Sequence, residues 1–236
     1  MKNISHKVYW LIIQISRLNP VFRFVVDILA ICFYKVMRKN RSFLFQGQKY
    51  YYFYHLYNRT IASERIIEIP IAHKMLKKYK GKNILEVGNV LGHYCNQPHD
   101  VLDKYEKGKG VINKDVINFE TNMKYDLIIS VSTMEHVGYS YGENLDLSKI
   151  PKGIKNLKRL LKPGGKFFVT LPIGYNPSLL RLILERKTGF TKTYYMKRTS
   201  YLNDWKQVSF IEIKNCPKYD TGFANSNALF IGEYIK

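Results

Sequence analysis

The residues from Asn83 to Tyr94, NILEVGNVLGHY, restrict the fold more than any other stretch of this chain. The apolar run from Ile84 to Val87 is bounded by breakers, which predicts a central parallel strand buried on both faces. Glu86 interrupts that run, and because a buried carboxylate is costly without cations or donors, we expect it to be aimed at a ligand. Gly88 and Gly92 let the next backbone segment turn sharply and approach the ligand closely. The same residues also fit an ordinary strand followed by a glycine turn.

Two further runs place polar residues where the next strands of a sheet would end. The run HDVLDKY predicts a second strand with Asp103 at its carboxyl end. Asp103 follows Glu86 by seventeen positions, an interval that fits the spacing between a cofactor turn and the acidic residue that binds ribose hydroxyls. The third run, GVINKDVINF, delivers Asn113 and Asp115 to the same edge, although Asp115 also fits a solvated turn.

The rest of the pattern alternates strands with a helix. YDLIISVS predicts a fourth strand, which opens into the polar segment TMEHVG. Lys149 to Leu161 has apolar residues at helical spacing, LKPGG ends that helix, and KFFVTLP predicts a fifth strand. Two C-terminal runs, VSFIEI and ALFIGEYI, are expected to pair as an antiparallel hairpin. The pattern therefore predicts an α/β fold with a doubly wound, mostly parallel sheet.

This ordered series resembles the class I S-adenosylmethionine-dependent methyltransferases, the seven-stranded, Rossmann-like group. The resemblance runs from about Asn83 to the C-terminus and is carried by ILEVGNVLG, Asp103, YDLIIS with MEHVG, and LKPGGKFFVTLP. It implies an enzyme that transfers a methyl group from S-adenosylmethionine. The usual turn of the family has a further glycine two positions after the first, where this chain has Val90.

The resemblance also implies a set of cofactor contacts. The residues concerned are Glu86, Gly88 and Gly92 for the methionine part, Asp103 for the ribose, Asn113 and Asp115 for the adenine, and Ser130 at the end of the fourth strand.

The segment after the fourth strand supplies the candidate catalytic residues. His136 is the expected general base where the acceptor must lose a proton, because histidine titrates near neutrality. Glu135 would orient it or meet a substrate hydroxyl; alternatively, Glu135 caps a turn and His136 packs beneath the cofactor. Further candidates for the acceptor pocket lie on loops after strands four and five: Tyr139, Tyr141, Tyr175 and Asn176.

The absence of several motifs reduces the number of cofactors and methyl acceptors that fit this sequence. No GxGxxG dinucleotide fingerprint and no GxxxxGK[ST] phosphate loop follows a predicted strand. The fourth strand ends in Ser130-Val131-Ser132-Thr133, without the Asp/Asn-Pro-Pro-aromatic loop of adenine and glutamine methyltransferases, and no Pro-Cys pair is present. These absences favour O- or N-methylation of a small-molecule, sugar or lipid-linked acceptor over a nucleobase. A methyltransferase fold that binds a partner without turnover is the alternative from another class.

The 236 residues fit one domain with an N-terminal extension. We expect an apolar, amphipathic extension at 1–45, and a methyltransferase domain at 46–236 with a tyrosine-rich lead-in at 46–82. Neither apolar stretch of the extension reaches the roughly 20 residues that a membrane span needs. The extension is expected to lie on a membrane or to form a lid or dimer contact. In the membrane case, the basic residues facing anionic headgroups would be Lys35, Arg38, Lys39 and Arg41.

The formal net charge of +20 favours an acidic partner. An RNA methyltransferase would use such a charge, but no RNA-binding appendage is recognisable, so anionic lipids or phosphorylated glycans fit better than nucleic acid. The three cysteines are far apart and have no metal or disulfide spacing, so we expect no metal and a reducing cytoplasm. No signal peptide is evident, and the sequence leaves the oligomeric state open.

Overall fold

A computed structural model of the chain describes residues 2–96, 98–139, 146, 148–216 and 218–236, with the backbone alone for 2–6 and 16. The helices are α1 Lys2–Leu18, α2 Pro20–Met37, α3 Arg65–Lys78, α4 Lys149–Leu160, α5 Pro177–Leu184 and α6 Phe210–Lys214. The strands are β1 Ser42–Phe45, β2 Gln48–Tyr51, β3 Ile84–Val87, β4 Asp100–Leu102, β5 Val111–Ile112, β6 Tyr125–Val131, β7 Leu161–Pro172, β8 Lys192–Arg198, β9 Trp205–Val208 and β10 Ala228–Ile235. Short 3₁₀ turns lie at Tyr57–Ala62, Leu91–His93 and Met134–His136.

The main sheet confirms the predicted fold class. Within the described residues it has eight strands, one more than expected, in the order β5-β4-β3-β6-β7-β10-β8-β9. The five strands from β5 to β7 are parallel, and the last three are antiparallel to their neighbours. Because the strand order reverses at β3, the crevice between β3 and β6 is the topological switch point, where ligands bind in sheets of this kind.

The antiparallel part contains one of the two predicted runs as a whole strand and only the first residue of the other. β10, the run ALFIGEYI, lies between β7 and β8 and pairs with both. The run VSFIEI is split between β9 and α6, because Ser209 and Glu212 form a capping box that starts the helix. The C-terminal hairpin is therefore formed by β8 and β9, with Arg198 opposite Trp205.

Alternating side chains bury both faces of the central strands. In β6, Leu127 and Ile129 pack on one face, where α3 and the tyrosine-rich lead-in cover the sheet. Ile128 points to the other face, which α4 and α5 cover. Ile66 and Ile67 of α3 are fully buried. The β1–β2 hairpin crosses residue 45, the expected domain boundary, so the helical extension ends at α2.

The crossovers are less helical than the alternating pattern predicted. Between β3 and β4 the described residues form only the 3₁₀ turn Leu91–His93. That crossover has twelve residues, 88–99, close to the minimum for a parallel connection, which leaves little length for a helix. A full crossover helix, α4, connects β6 to β7 as predicted.

The N-terminal extension forms the two predicted helices. The Asn19 side chain caps α2 by accepting from the Phe22 amide at 2.9 Å. Arg38, expected to face outward, is buried and pairs with Asp204 at 2.5 Å, because the C-terminal end of α2 packs against the loop before β9. No helix of the described chain is long and apolar enough to cross a membrane.

Candidate active site

A cavity of about 460 Å³ opens at the carboxyl ends of β3, β4 and β6. It lies at the switch point of the sheet, where the fold predicts a ligand. The described residues that line it are Val87, Gly88, Leu102, Asp103, Lys104, Tyr105, Lys114, Asp115, Val116, Thr133, His136, Val137 and Gly138. Four of the predicted site residues are among them: Gly88, Asp103, Asp115 and His136.

The turn after β3 requires glycine at position 88. Gly88 has a φ of +85°, and its amide donates to the Leu102 carbonyl at 2.8 Å. A Cβ added there would lie 2.1 Å from Oγ1 of Thr133 and 2.7 Å from its Cβ. Thr133, in the segment after β6, therefore packs against this turn. The sequence had not identified it as a candidate site residue. The turn can approach a ligand closely because residue 88 has no side chain.

Glu86 stabilises this turn from inside the protein. Its Oε1 accepts from the amides of Val90 at 2.8 Å and Leu91 at 2.6 Å. Its Oε2 lies 2.6 Å from Nε2 of His99, and both side chains are buried. These contacts are all within the chain, and Glu86 does not line the cavity. Its predicted contact with a cofactor stays a prediction.

Val90, where the resembled family has a second glycine, fits its position. Its φ of −96° is ordinary right-handed backbone, so no glycine is needed there. Its side chain is buried in the core on the α3 face of the sheet. Gly92 is also outside the cavity lining, and a Cβ there would lie 2.5 Å from Oδ1 of Asn89. The conformation of the loop after β3 is therefore determined by the packing of its side chains, and a second glycine at position 90 is not required.

Asp103 is held rigidly at the cavity wall directly after β4. Its Oδ1 accepts from the amides of Tyr105 at 2.8 Å and Glu106 at 2.7 Å. Its Oδ2 accepts from the Asn89 amide at 3.3 Å. Glu106 reinforces the arrangement, because its Oε1 accepts from Nδ2 of Asn89 at 2.5 Å. The carboxylate therefore joins the loops after β3 and β4 beside the cavity.

The three remaining predicted cofactor residues have different positions. Asp115 lines the cavity, and its carboxylate lies 3.3 Å from Nζ of Lys104. Asn113 lies behind the wall, where Nδ2 donates to the carbonyls of Asp103 at 3.1 Å and Glu106 at 2.7 Å. Ser130 is buried within the sheet, and its hydroxyl donates to a carbonyl of the neighbouring strand β3. Asn113 and Ser130 do not line this cavity, and their predicted contacts with a cofactor stay predictions.

His136 faces the cavity beside a group of aromatic side chains. Its side chain is about half exposed, at 48%, and Nδ1 lies 3.2 Å from Oη of Tyr175. Tyr175 in turn makes edge contacts with Tyr139 at 5.8 Å and with Tyr219 at 5.2 Å between ring centroids. Partial burial, together with the charge of Arg65, lowers the pKa of His136, which favours a neutral ring able to accept a proton. Tyr141 lies outside the described residues.

Glu135 and Asn176 are buried next to this group. Oε1 of Glu135 lies 3.9 Å from Nε2 of His136, and Oε2 has no hydrogen-bond partner among the described residues. Burial raises the pKa of Glu135 well above its usual range. Asn176 was predicted to bind the acceptor, but its Oδ1 caps α5 and its Nδ2 donates to the Glu135 carbonyl at 2.7 Å. These hydrogen bonds join the start of α5 to the segment after β6, and the predicted contact of Asn176 with the acceptor stays a prediction.

A buried polar network behind the site supports the end of β6. Nη1 of Arg65 donates to the Val131 carbonyl at 2.9 Å and lies 3.3 Å from a carboxylate oxygen of Glu68. Ser132 donates to the other Glu68 oxygen at 2.6 Å and has a φ of +39°, a strained value for a residue with a side chain. Sequence analysis did not predict this network, because its members come from segments more than sixty residues apart.

No family model matches this sequence, and no curated protein sequence matches it. Solved structures do: an S-adenosylmethionine-dependent methyltransferase from Archaeoglobus fulgidus is 14% identical, with a TM-score of 0.46, over 78% of this chain and 100% of that one. The N-methyltransferase NodS from Bradyrhizobium japonicum, complexed with S-adenosylhomocysteine, is 14% identical, with a TM-score of 0.42, over 73% and 91%. A possible histamine N-methyltransferase from Thermotoga maritima is 14% identical, with a TM-score of 0.41, over 70% and 91%.

Proposed function

We propose that the protein is an S-adenosylmethionine-dependent methyltransferase. The observation that carries the proposal is the cavity at the switch point. It combines a glycine turn after β3, a fixed carboxylate after β4 and a second carboxylate after β5. The strand order supports it, because the crevice beside β3 is the position that Rossmann-like sheets use for a nucleoside. The family resemblance of the ordered sequence motifs supports the choice of S-adenosylmethionine among nucleoside cofactors.

The residues present fit this cofactor. Gly88 supplies a surface without a side chain for the aminoacyl part, and Asp103 supplies a carboxylate that can accept from ribose hydroxyls. Leu102 and Val116 supply apolar surface for the adenine ring, with Asp115 at its edge. When bound, the cofactor provides an activated methyl group on a sulfonium. The protein's contribution is then to align the acceptor and, where needed, remove its proton.

His136 is the group best placed to accept a proton from the acceptor. It faces the cavity, its lowered pKa favours the neutral ring, and Tyr175 holds one ring nitrogen at 3.2 Å. In the tautomer with the proton on Nδ1, the ring donates to Tyr175 and Nε2 is the basic atom. Glu135 is a positioning residue behind the ring. This arrangement suits an acceptor hydroxyl or amine on a small molecule, a sugar or a lipid-linked glycan.

We further propose that α1 and α2 are an extension of a catalytic domain that begins at β1. The protein would work in the cytoplasm, at the inner face of the cell membrane. Free thiols at all three cysteines support a reducing compartment. The basic composition supports an anionic surface as the partner.

Calorimetric titration with S-adenosylmethionine and S-adenosylhomocysteine tests the cofactor assignment. We expect binding in the micromolar range, about −8 kcal/mol, because the cavity supplies apolar surface and hydroxyl acceptors together. Asp103→Ala should weaken it at least tenfold. Glu120→Ala is the matched control, because that carboxylate is 82% exposed and is not among the cavity residues. Absence of binding in the wild type, or equal binding by both variants, would contradict the proposal.

A further inference from the structure

Most of the large apolar side chains of helix α2 are exposed, and its one carboxylate is buried. Asp27 and Tyr34 face the body of the protein, and Asp27 pairs with Arg59 at 2.8 Å. The exposed residues share large apolar side chains: Val21, Phe22, Phe24, Val25, Ile28, Leu29, Phe33, Val36 and Met37. Surface helices of globular proteins have the opposite arrangement. The outer face of α2 is therefore expected to contact an apolar partner or a membrane rather than water.

Helix α1, which ends at Leu18 just before α2 begins, also has exposed apolar side chains. On its inner side, the hydroxyl of Tyr9 accepts from the Ala224 amide at 2.8 Å, and Arg17 pairs with Asp220 at 2.6 Å. Its exposed apolar residues follow the helical repeat: Val8, Leu11, Ile12, Ile15 and Leu18. We call these residues and the exposed apolar residues of α2 the α1–α2 surface. It holds 14 of the 24 large hydrophobic side chains that are exposed in the described chain. A concentration of exposed apolar side chains on two consecutive helices is typical of an interaction site.

The basic residues next to this surface indicate the chemistry of its partner. Residues 1–41 contain eight lysines and arginines and one acidic residue, Asp27, which is buried and paired. Lys35, Lys39 and Arg41 are exposed at the end of α2 and in the segment that follows it. An apolar helix face with basic residues beside it is the pattern of helices that lie in the interface of an anionic bilayer. A partner protein would have to be acidic as well as apolar.

The α1–α2 surface is connected to the acceptor side of the cavity by direct contacts. Arg17 of α1 pairs with Asp220, and the neighbouring Tyr219 packs on Tyr175. Tyr175 contacts His136, which lines the cavity. These contacts connect the inner side of α1 to the cavity wall that contains His136.

We propose that the α1–α2 surface docks on an anionic lipid bilayer and that the methyl acceptor is a molecule carried by that bilayer. The statement about the acceptor rests on the proposed function, whereas docking does not. The apolar side chains enter the interface, and the exposed Lys35, Lys39 and Arg41 contact the anionic headgroups.

Co-sedimentation of the full chain with vesicles tests docking. Phosphatidylcholine vesicles with 30% phosphatidylglycerol should bind the protein at least tenfold more tightly than pure phosphatidylcholine, since each basic residue contributes on the order of 1 kcal/mol at an anionic surface. Val25→Gln with Leu29→Gln should weaken binding by about tenfold or more, because buried CH₂ groups contribute ~0.8 kcal/mol each. The control is Met123→Gln with Ile211→Gln, which replaces two exposed apolar residues outside this surface and should leave binding unchanged.

Two further measurements separate the possible failures. Titration with S-adenosylmethionine in the absence of vesicles measures the cofactor site alone, and Val25→Gln with Leu29→Gln should leave that affinity unchanged. Vesicle binding without cofactor binding would refute the proposed function and leave docking intact. Cofactor binding without vesicle binding would overturn the docking proposal. Sedimentation as a dimer that the same two substitutions dissociate would also overturn it, since a second copy would then cover the surface.

Discussion

Replacing Gly88 by alanine tests whether the turn after β3 holds the cofactor site together. The φ of +85° puts a side chain in the left-handed region, at a cost of about 1–2 kcal/mol. The added Cβ would also lie 2.7 Å from the Cβ of Thr133, so rotation of the threonine side chain cannot relieve the contact. Overpacking of this kind costs about 1–3 kcal/mol. We expect Gly88→Ala to lower the free energy of unfolding by about 2–5 kcal/mol, the sum of the two ranges.

Urea denaturation measures this loss, and calorimetry measures S-adenosylmethionine affinity on the fraction that folds. Gly110→Ala is the matched control, because Gly110 has a φ of +83° with no described atom within 4 Å of its added Cβ. That variant should show the backbone cost alone. Thr133→Gly combined with Gly88→Ala removes the steric clash and should recover more stability than the sum of the single effects predicts. If Gly88→Ala is no less stable than Gly110→Ala, the proposed packing of Thr133 on the turn is wrong.

Three other predictions concern titrating groups. Burial raises the pKa of Glu135, so the contribution of this side chain to stability is full below about pH 4.3 and falls as pH rises toward the folded pKa. The gain in urea midpoint from Glu135→Gln should therefore be larger at pH 8 than at pH 5. Equal gains at the two pH values would contradict this prediction. Asp204→Ala should cost about 3 kcal/mol at pH 7 by leaving the buried Arg38 unpaired. Burial by itself would raise the pKa of Asp204, but hydrogen bonds from Ser200 and Arg38 outweigh it and lower that pKa. The stability cost of Asp204→Ala should therefore shrink only below about pH 4, as the wild-type carboxylate protonates. A cost that shrinks between pH 7 and pH 5 would refute the pairing. The NMR titration midpoint of His136, assigned with His136→Asn, should lie below about 6.5, and a higher midpoint would remove the reason to expect a neutral base at pH 7.

The sequence predicted those parts of the fold that local patterns determine. β3, β6 and α4 lie where apolar runs and helical spacing placed them, because each has a strong periodicity and clear breakers. The position of β10 depends on contacts with β7 and β8, which no local pattern encodes. The helix α6 did have a local signal, since Ser209 and Glu212 have the spacing of a capping box. The four apolar residues among the six of VSFIEI outweighed that signal and suggested a strand.

For the candidate site, the sequence predicted which strand ends meet there, but not the direction of each side chain. Gly88, Asp103, Asp115 and His136 line the cavity because the ends of neighbouring parallel strands meet at one edge. Sequence position alone does not determine the direction of a side chain within a turn. Asn176, for example, was predicted to bind the acceptor from its position after the fifth strand alone, and the hydrogen bonds of its Oδ1 at the start of α5 were not foreseen.

The position of β10 affects the order in which the sheet can assemble during synthesis. β10 leaves the ribosome after β7 and β8, yet it separates them in the sheet. Until it arrives, one side of the twelve-residue strand β7 has no partner in the final arrangement. Unpaired edges of long apolar strands are sites of aggregation. A chaperone that shields β7 in the nascent chain would therefore protect this protein at its most vulnerable stage.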